Sequence, residues 1–249
     1  MTNPAATVLV TGASHGIGRA ISLALARSGF PVLGVSRTPP EDRPDPARSS
    51  EHTSVQWKEL DLSNAADVER CVSSLEAVPI RFLILSAVDY GPGQRHPAAE
   101  ISAQEWQQVV GTNCIGHAIL VSRLLPKLAA NPPGIIVNIS SDVAISPAAG
   151  RAAYAASKAG LHAMLRAVAA EKPVECLRIY QLIPTFQVAT RGLRRRRAPD
   201  FDFSSYGDPA VMGAVVERLV SPSDTSRSPG TYLVRQDGTL EPYSEPSRV

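Results

Sequence analysis

Tyr154-Ala155-Ala156-Ser157-Lys158 is the pentapeptide of this chain whose spacing most directly suggests chemistry. A separation of four puts phenol and ammonium on one helix face, one turn apart. A cation about 5 Å from a phenol, at an effective dielectric near 20, is worth roughly 3 kcal/mol. That interaction lowers a phenol pKa of about 10 by some two units. The result is an acid–base group suited to moving a proton to or from a carbonyl oxygen. Thirteen residues upstream, just past a strand-like run, Ser141 offers a hydroxyl to the same oxygen, with Ser140 as its competitor. Asn113 stands inside a long helical pattern where Asn is a poor helix former, which points to a local distortion or a polar role.

A second constellation lies near the N-terminus. Thr11-Gly12-Ala13-Ser14-His15-Gly16-Ile17-Gly18 follows a β-branched run and opens a helical one. Gly12 permits a sharp turn, Gly16 lets a pyrophosphate approach the backbone, and Gly18 lets helix and strand pack closely. The N–H groups around Ser14, His15 and Ile17, with the positive end of the helix dipole, suit that anion. The next strand ends Gly34-Val35-Ser36-Arg37, without the Asp or Glu that would hold the ribose hydroxyls of NAD. Arg37 can pair with a 2′-phosphate, and His15 and Ser36 offer further donors. One charge-assisted bond of about 1.5–3 kcal/mol gives roughly a ten- to hundredfold preference for NADP(H).

The elements that must position these groups alternate along the chain. Strands are expected at Thr7–Thr11, Pro31–Ser36, Val55–Leu60, Ile80–Ala87, Gly134–Ser140, Glu175–Ile183 and Thr231–Val234. Helices are expected near Gly16–Ser28, Ala65–Ala77, Ala103–Ala130, Ala152–Glu171 and Pro209–Leu219. This order means βαβ units, and the near-continuous apolar strands mean helices on both faces. The fold class is α/β: a single doubly wound parallel-sheet domain of Rossmann type spanning residues 1–249. The proline-rich segment Thr38 to Ser54 is expected as a surface loop. Residues 190–208, holding Arg194 to Arg197 and then Asp-Phe-Asp-Phe-Ser-Ser-Tyr, are expected to overhang the strand ends as a substrate loop.

Taken together and in order, Thr-Gly-x-x-x-Gly-x-Gly at 11–18, Asp61-Leu62, Asn113, Ser141 and Tyr154-x-x-x-Lys158 resemble the short-chain dehydrogenase/reductase family over nearly the whole chain. The 3-oxoacyl-carrier reductases and carbonyl reductases are the nearest in kind. The resemblance implies metal-free, NAD(P)-dependent hydride transfer between a carbonyl and an alcohol carbon. It makes Tyr154 the acid in reduction and the base in oxidation. Lys158 lowers its pKa and holds the nicotinamide ribose, Ser141 orients the carbonyl, and Asn113 supports a water linking Lys158 to solvent. Asp61 and Leu62 flank the adenine. Two segments depart from the family. Its Asn-Asn-Ala-Gly is here Leu85-Ser86-Ala87-Val88, so ribose contacts fall to the backbone around Ala87 or to Ser86, and Val88 narrows the site. Its Pro-Gly is Pro184-Thr185, with Gln187 facing the nicotinamide carboxamide and Thr190 displaced by one position.

Composition bounds the rest. Lys+Arg number 25 against 23 Asp+Glu, a balance that argues against a dedicated nucleic-acid binder. Three cysteines, odd in number and far apart, suggest neither a disulfide framework nor a zinc site, and His96, His117 and His162 lack ligand spacing. No apolar run reaches the roughly 18 residues of a membrane span, and no secretory signal opens the chain, so the cytoplasm is the expected compartment. The expected partner is a small carbonyl or alcohol substrate, free or carrier-linked, with Tyr90, Trp106, Phe186, Phe201, Phe203 and Tyr206 near the mouth. Family habit implies a homodimer or homotetramer through the helices around 103–130 and 152–171. Arg194 to Arg197 read either as an anion-binding run or as a solvated one. The altered segments leave two other functions open: a cofactor-binding sensor without turnover, and a non-redox epimerisation, dehydration or cyclisation.

Overall fold

The computed structural model describes residues 6–40, 55–91, 95–171, 175–194, 197–221 and 227–244. In its first strand, Thr7–Thr11 (β1), Val8 and Val10 face one side and Leu9 the other, and all three are fully buried. Burying such a side chain contributes about 1.5–3 kcal/mol, so both sheet faces must be covered. The other strands are Val32–Ser36 (β2), Gln56–Glu59 (β3), Ile80–Leu85 (β4), Gly134–Ile139 (β5), Leu177–Pro184 (β6), Gly230–Val234 (β7) and Leu240–Pro242 (β8). They form one sheet in the order β3-β2-β1-β4-β5-β6-β7-β8. All neighbours pair in parallel except β8, which runs antiparallel to β7.

Helices Gly16–Arg27 (α1) and Pro209–Val220 (α7) cover one face with Ile21, Leu25, Met212 and Val216. Helices Ala65–Ser73 (α2), Gly116–Ala129 (α4) and Ala152–Glu171 (α5) cover the other with Val68, Leu120, Leu124, Leu161 and Leu165. The helix Ala103–Val110 (α3) brings Val109 against Val143 and Tyr154. Asn64 caps α2, Ser102 caps α3, and Asp208 caps α7 ahead of Pro209. A four-residue turn, Arg191–Arg194 (α6), lies between β6 and α7. The chain winds outward from β1 through β2 to β3, then returns to β4 on the other side of β1. That reversal opens a crevice at the carboxyl ends of β1 and β4.

Several boundaries differ from the sequence expectation. The helix expected over 103–130 is interrupted at Gly111–Ile115 by a π-helical turn centred on Asn113, where a distortion was anticipated. Gly116 explains the close approach there: a Cβ on it would lie 2.0 Å from the Leu62 carbonyl oxygen. Helix α2 stops at Ser73, because the Ser74 hydroxyl bonds the Cys71 carbonyl and ends the run. Strand β8 was not anticipated. Of the proline-rich loop, residues 41–54 lie outside the described residues. Ala103–Ala129 has the length and hydropathy of a membrane span, but 44% of its most apolar window is buried inside the protein, with Leu120, Leu124 and Leu128 among the core residues.

Candidate active site

The crevice at the strand ends is a cleft of ≈ 790 Å³. Of the residues singled out from sequence, Gly12, Ser14, His15, Gly16, Ile17, Gly18, Ser36, Arg37, Leu62, Ser86, Ala87, Ser141, Tyr154, Lys158, Pro184 and Gln187 line it. Asn113 and Asp61 do not. The Asp61 carboxylate is taken up by the backbone N–H and hydroxyl of Ser63, at 2.9 and 2.7 Å, so it faces its own turn and not an adenine.

Beginning at the glycine turn, Gly12 and Gly16 have positive φ, 70° and 63°. A Cβ on Gly12 would lie 2.7 Å from the Ala87 Cα, and one on Gly18 would lie 2.3 Å from the Gly12 carbonyl oxygen. The turn is therefore pressed against the end of β4 and against its own helix. His15, at the N-cap of α1, makes no side-chain capping bond, and the first turn holds no acidic residue. The positive end of α1 thus opens on the cleft with donors to offer an anion. Among the described residues, the buried hydroxyl oxygens of Ser86 and Ser140 have no partner. An open helix terminus, a close-packed glycine turn, unpartnered hydroxyls and the Arg37 guanidinium together fit a dinucleotide phosphate.

Two cofactor-end expectations are modified. Ser36 is not available as a phosphate donor, because its hydroxyl gives its hydrogen to the Thr38 carbonyl at 2.8 Å and accepts the Trp57 indole N–H at 2.7 Å. Arg37 is half-exposed and leans to Asp89 at 3.6 Å. Asp89 is itself anchored: Gln108 donates to its carboxylate at 3.3 Å, and its backbone N–H and carbonyl bond the Asn113 amide, each at 2.7 Å. Asn113 also donates to the Ser157 hydroxyl at 3.0 Å. Asn113 therefore sits behind the cleft wall and ties the loop after β4 to α5.

His117 was read from sequence only as lacking metal spacing, yet it completes this network. Its Nδ1 lies 3.1 Å from the Asn113 carbonyl, which only accepts, so Nδ1 carries the proton. Its Nε2 then accepts from the Thr11 hydroxyl at 3.0 Å. The Thr11 oxygen in turn accepts the N–H groups of Ser86 and Ala87 at 2.9 and 3.1 Å. Burial, aided by the nearby Lys158 charge, lowers the His117 pKa to about 4 against the Asn113 bond, which raises it.

Tyr154 is buried, with its ring centroid 5.1 Å from that of Tyr90. Its phenol lies close enough to Ser141 for that hydroxyl to oppose the rise in its pKa, while Ser141 donates to Asp142 at 2.8 Å. This contact selects Ser141 over Ser140 as the phenol's neighbour. The expected lowering of the phenol pKa by Lys158 is corrected here. Burial dominates and pushes Tyr154 above the usual phenol range, Tyr90 adds to the rise, and Ser141 and Arg151 only partly oppose it. Lys158 donates to the Ile139 carbonyl at 2.9 Å, one strand end away, and burial lowers its own pKa to about 8. A spacing of four fixes the helix face of two side chains, not where a flexible ammonium aims.

The overhanging segment is also ordered by contact. A parallel bridge joins Val188 to Gly207, and Phe201, Phe203 and Tyr206 form a three-ring cluster. Arg194 stacks over Phe203 at 4.4 Å and Arg197 over Phe201 at 5.0 Å, so neither is simply solvated. Arg195 and Arg196 lie outside the described residues. Sequence reasoning placed Thr11 in the glycine motif without its role as a hydrogen-bond hub, and it missed Asp89, Arg95, His96, Glu105, Asp142 and Arg151, none of which belongs to a spaced motif.

Comparison with known proteins identifies the family. Residues 6–199 match the family model described as short chain dehydrogenase. An NADPH-dependent pterin aldehyde reductase of Arabidopsis thaliana is 32% identical over 183 residues, 72% of this chain and 74% of that protein. The 3-oxoacyl-[acyl-carrier-protein] reductase FabG of Staphylococcus aureus is 28% identical over 74% of this chain and 75% of its own. Among solved structures, a putative NAD(P) dependent gluconate 5-dehydrogenase from Beutenbergia cavernae with bound NADP superposes with a TM-score of 0.80. It is 27% identical and covers 94% of this chain and 95% of that one. The chain belongs to the short-chain dehydrogenase family.

Proposed function

We propose that the chain is an NADP(H)-dependent reductase of a ketone or aldehyde. The observation that carries this reading is the buried Tyr154 phenol in contact with Ser141 at the floor of the same cleft as the open glycine turn. Ser14, His15, Gly16 and the start of α1 hold the pyrophosphate, Arg37 meets the 2′-phosphate, and Ser86, Ser140 and Lys158 face the ribose and nicotinamide end. The dinucleotide, when bound, supplies the hydride. The chain's residues supply the proton and the alignment. Ser141, on turning its hydroxyl from Asp142 to the substrate, orients the carbonyl oxygen, and Tyr154 gives that oxygen its proton. A phenol held neutral by burial is the donating form, and an alkoxide is a stronger base than a phenolate, so the transfer runs downhill in the direction of reduction. Lys158, bonded to the Ile139 carbonyl and lowered by burial to a pKa of about 8, lines the same cleft as the phenol. Asn113, clamped on Asp89 and Ser157, holds the wall between them in place.

A homodimer or homotetramer through the α4 and α5 surfaces is part of the proposal, supported by Ile115, a large apolar side chain 52% exposed on the π turn. The experiment for the main reading has two arms: NADPH binding by fluorescence, and NADPH oxidation across a panel of aldehydes and ketones. Binding with substrate-dependent oxidation is expected. Binding without oxidation across the panel would favour a sensor, and a product formed without net oxidation would favour a non-redox reaction.

A further inference from the structure

The substrate end of the cleft carries positive charge that the proton-transfer set does not use. Arg95 and Arg151 both line it, beside Ser141 and Tyr154. They come from different loops that meet at Gly150. Gly150 has φ +73°, and a Cβ on it would lie 2.9 Å from the Arg95 Cβ and 3.4 Å from its Cα. The segment bearing Arg95 is thus closed onto the residue directly before Arg151. Arg151 stands three residues ahead of Tyr154, close enough for its charge to act on the phenol.

The carboxylates at this end are otherwise engaged. Glu105 is paired with His96 at 3.1 Å. Asp142 accepts the Ser141 hydroxyl at 2.8 Å and the Val143 N–H at 2.9 Å. Among the described residues neither Arg95 nor Arg151 has a carboxylate partner. The phosphates assigned to the dinucleotide lie at the opposite end, on the glycine turn and Arg37. Two guanidinium groups on adjoining loops, without a carboxylate partner among the described residues and lining one cleft with Tyr154, Tyr90 and Ile101, form a receptor for an anion attached to an apolar body.

We propose that the substrate is an anionic carbonyl compound whose carboxylate or phosphoryl group is held by Arg95 and Arg151 while its carbonyl oxygen meets Tyr154 and Ser141. This rests on the reductase reading and names its substrate class. The test uses three aldehydes sharing one ring: methyl 4-formylbenzoate, which is neutral, 4-carboxybenzaldehyde, and 4-formylphenyl phosphate. The quantity read is kcat/KM with NADPH for the wild type, Arg95→Gln, Arg151→Gln and the double variant, each first shown to bind NADPH.

Wild-type enzyme is expected to prefer at least one anionic aldehyde over the ester by about tenfold or more, the value of one charge-assisted bond. The anion preferred distinguishes carboxylate from phosphoryl recognition. The preference is expected to shrink in each single variant, to vanish in the double variant, and to return in part with Lys at both positions. Equal use of ester and anions, or a preference that survives the double substitution, overturns the inference and leaves the reductase reading intact. NADPH binding with none of the three aldehydes reduced sinks both.

Discussion

Lys158→Met isolates the cost of keeping a charged amine inside the cleft. Lys158 is 5% exposed, and burial lowers its pKa from 10.5 to about 8. The difference of 2.5 units, at 1.36 kcal/mol each, is about 3 kcal/mol. Between pH 8 and 10.5 the unfolded chain holds the proton and the folded chain does not, so unfolding free energy rises with pH across that window. Below pH 8 the folded protein carries the whole penalty. Methionine fills similar space without charge, but it leaves the Ile139 carbonyl without its donor, at about 1–3 kcal/mol. That second contribution does not depend on pH. The variant-minus-wild-type difference in unfolding free energy, from urea titrations at intervals between pH 7 and 10.5, therefore carries it as a constant offset. The difference is expected to be flat below pH 8 and to fall by about 3 kcal/mol by pH 10.5, while turnover is lost at every pH. A difference curve flat across the whole range would refute a desolvated ammonium at this position.

Other consequences follow from neighbouring groups. His117, lowered from 6.5 to about 4, makes the folded state lose roughly 3 kcal/mol as pH falls from 6.5 to 4, since only the unfolded chain gains a proton there; His117→Gln should flatten that arm of the stability profile, measured by urea titration. Arg37→Ala should cut the NADPH-over-NADH preference in kcat/KM by about ten- to hundredfold. Asp89→Asn frees Arg37 from its ion pair and should move the same ratio the other way, by a smaller factor because the 3.6 Å pair is long and its Arg37 end is half-exposed. Gly18→Ala forces a Cβ to within 2.3 Å of the Gly12 carbonyl oxygen and should abolish NADPH binding in a fluorescence titration, with the turn displaced.

What could be read from sequence followed from local rules. The glycine turn, the helix carrying Tyr154 and Lys158, and the break at Asn113 are all set by residues within a few positions of one another. The near-continuous apolar runs Phe82-Leu83-Ile84-Leu85 and Ile135-Ile136-Val137 were enough to call for helices on both faces. What escaped depends on distant packing. The Ser36 hydroxyl is captured by Trp57, 21 positions away, and Arg37 meets Asp89 across two strand ends. The direction of the Tyr154 shift depends on how completely Tyr90, Ala153 and Val109 shut out water, which no spacing encodes. Strand β8 escaped because three residues, one of them Glu241, carry no pattern of their own and are strand only by pairing with β7.

Tyr154→Phe tests the central claim most directly, since it removes one hydroxyl and keeps the ring packed against Tyr90. With an aldehyde or ketone that the wild type reduces, kcat/KM is expected to fall by about 10²–10⁴, the range for a positioned proton donor, while NADPH still binds. Turnover within a few-fold of wild type would contradict it and move the proton to another group in the cleft.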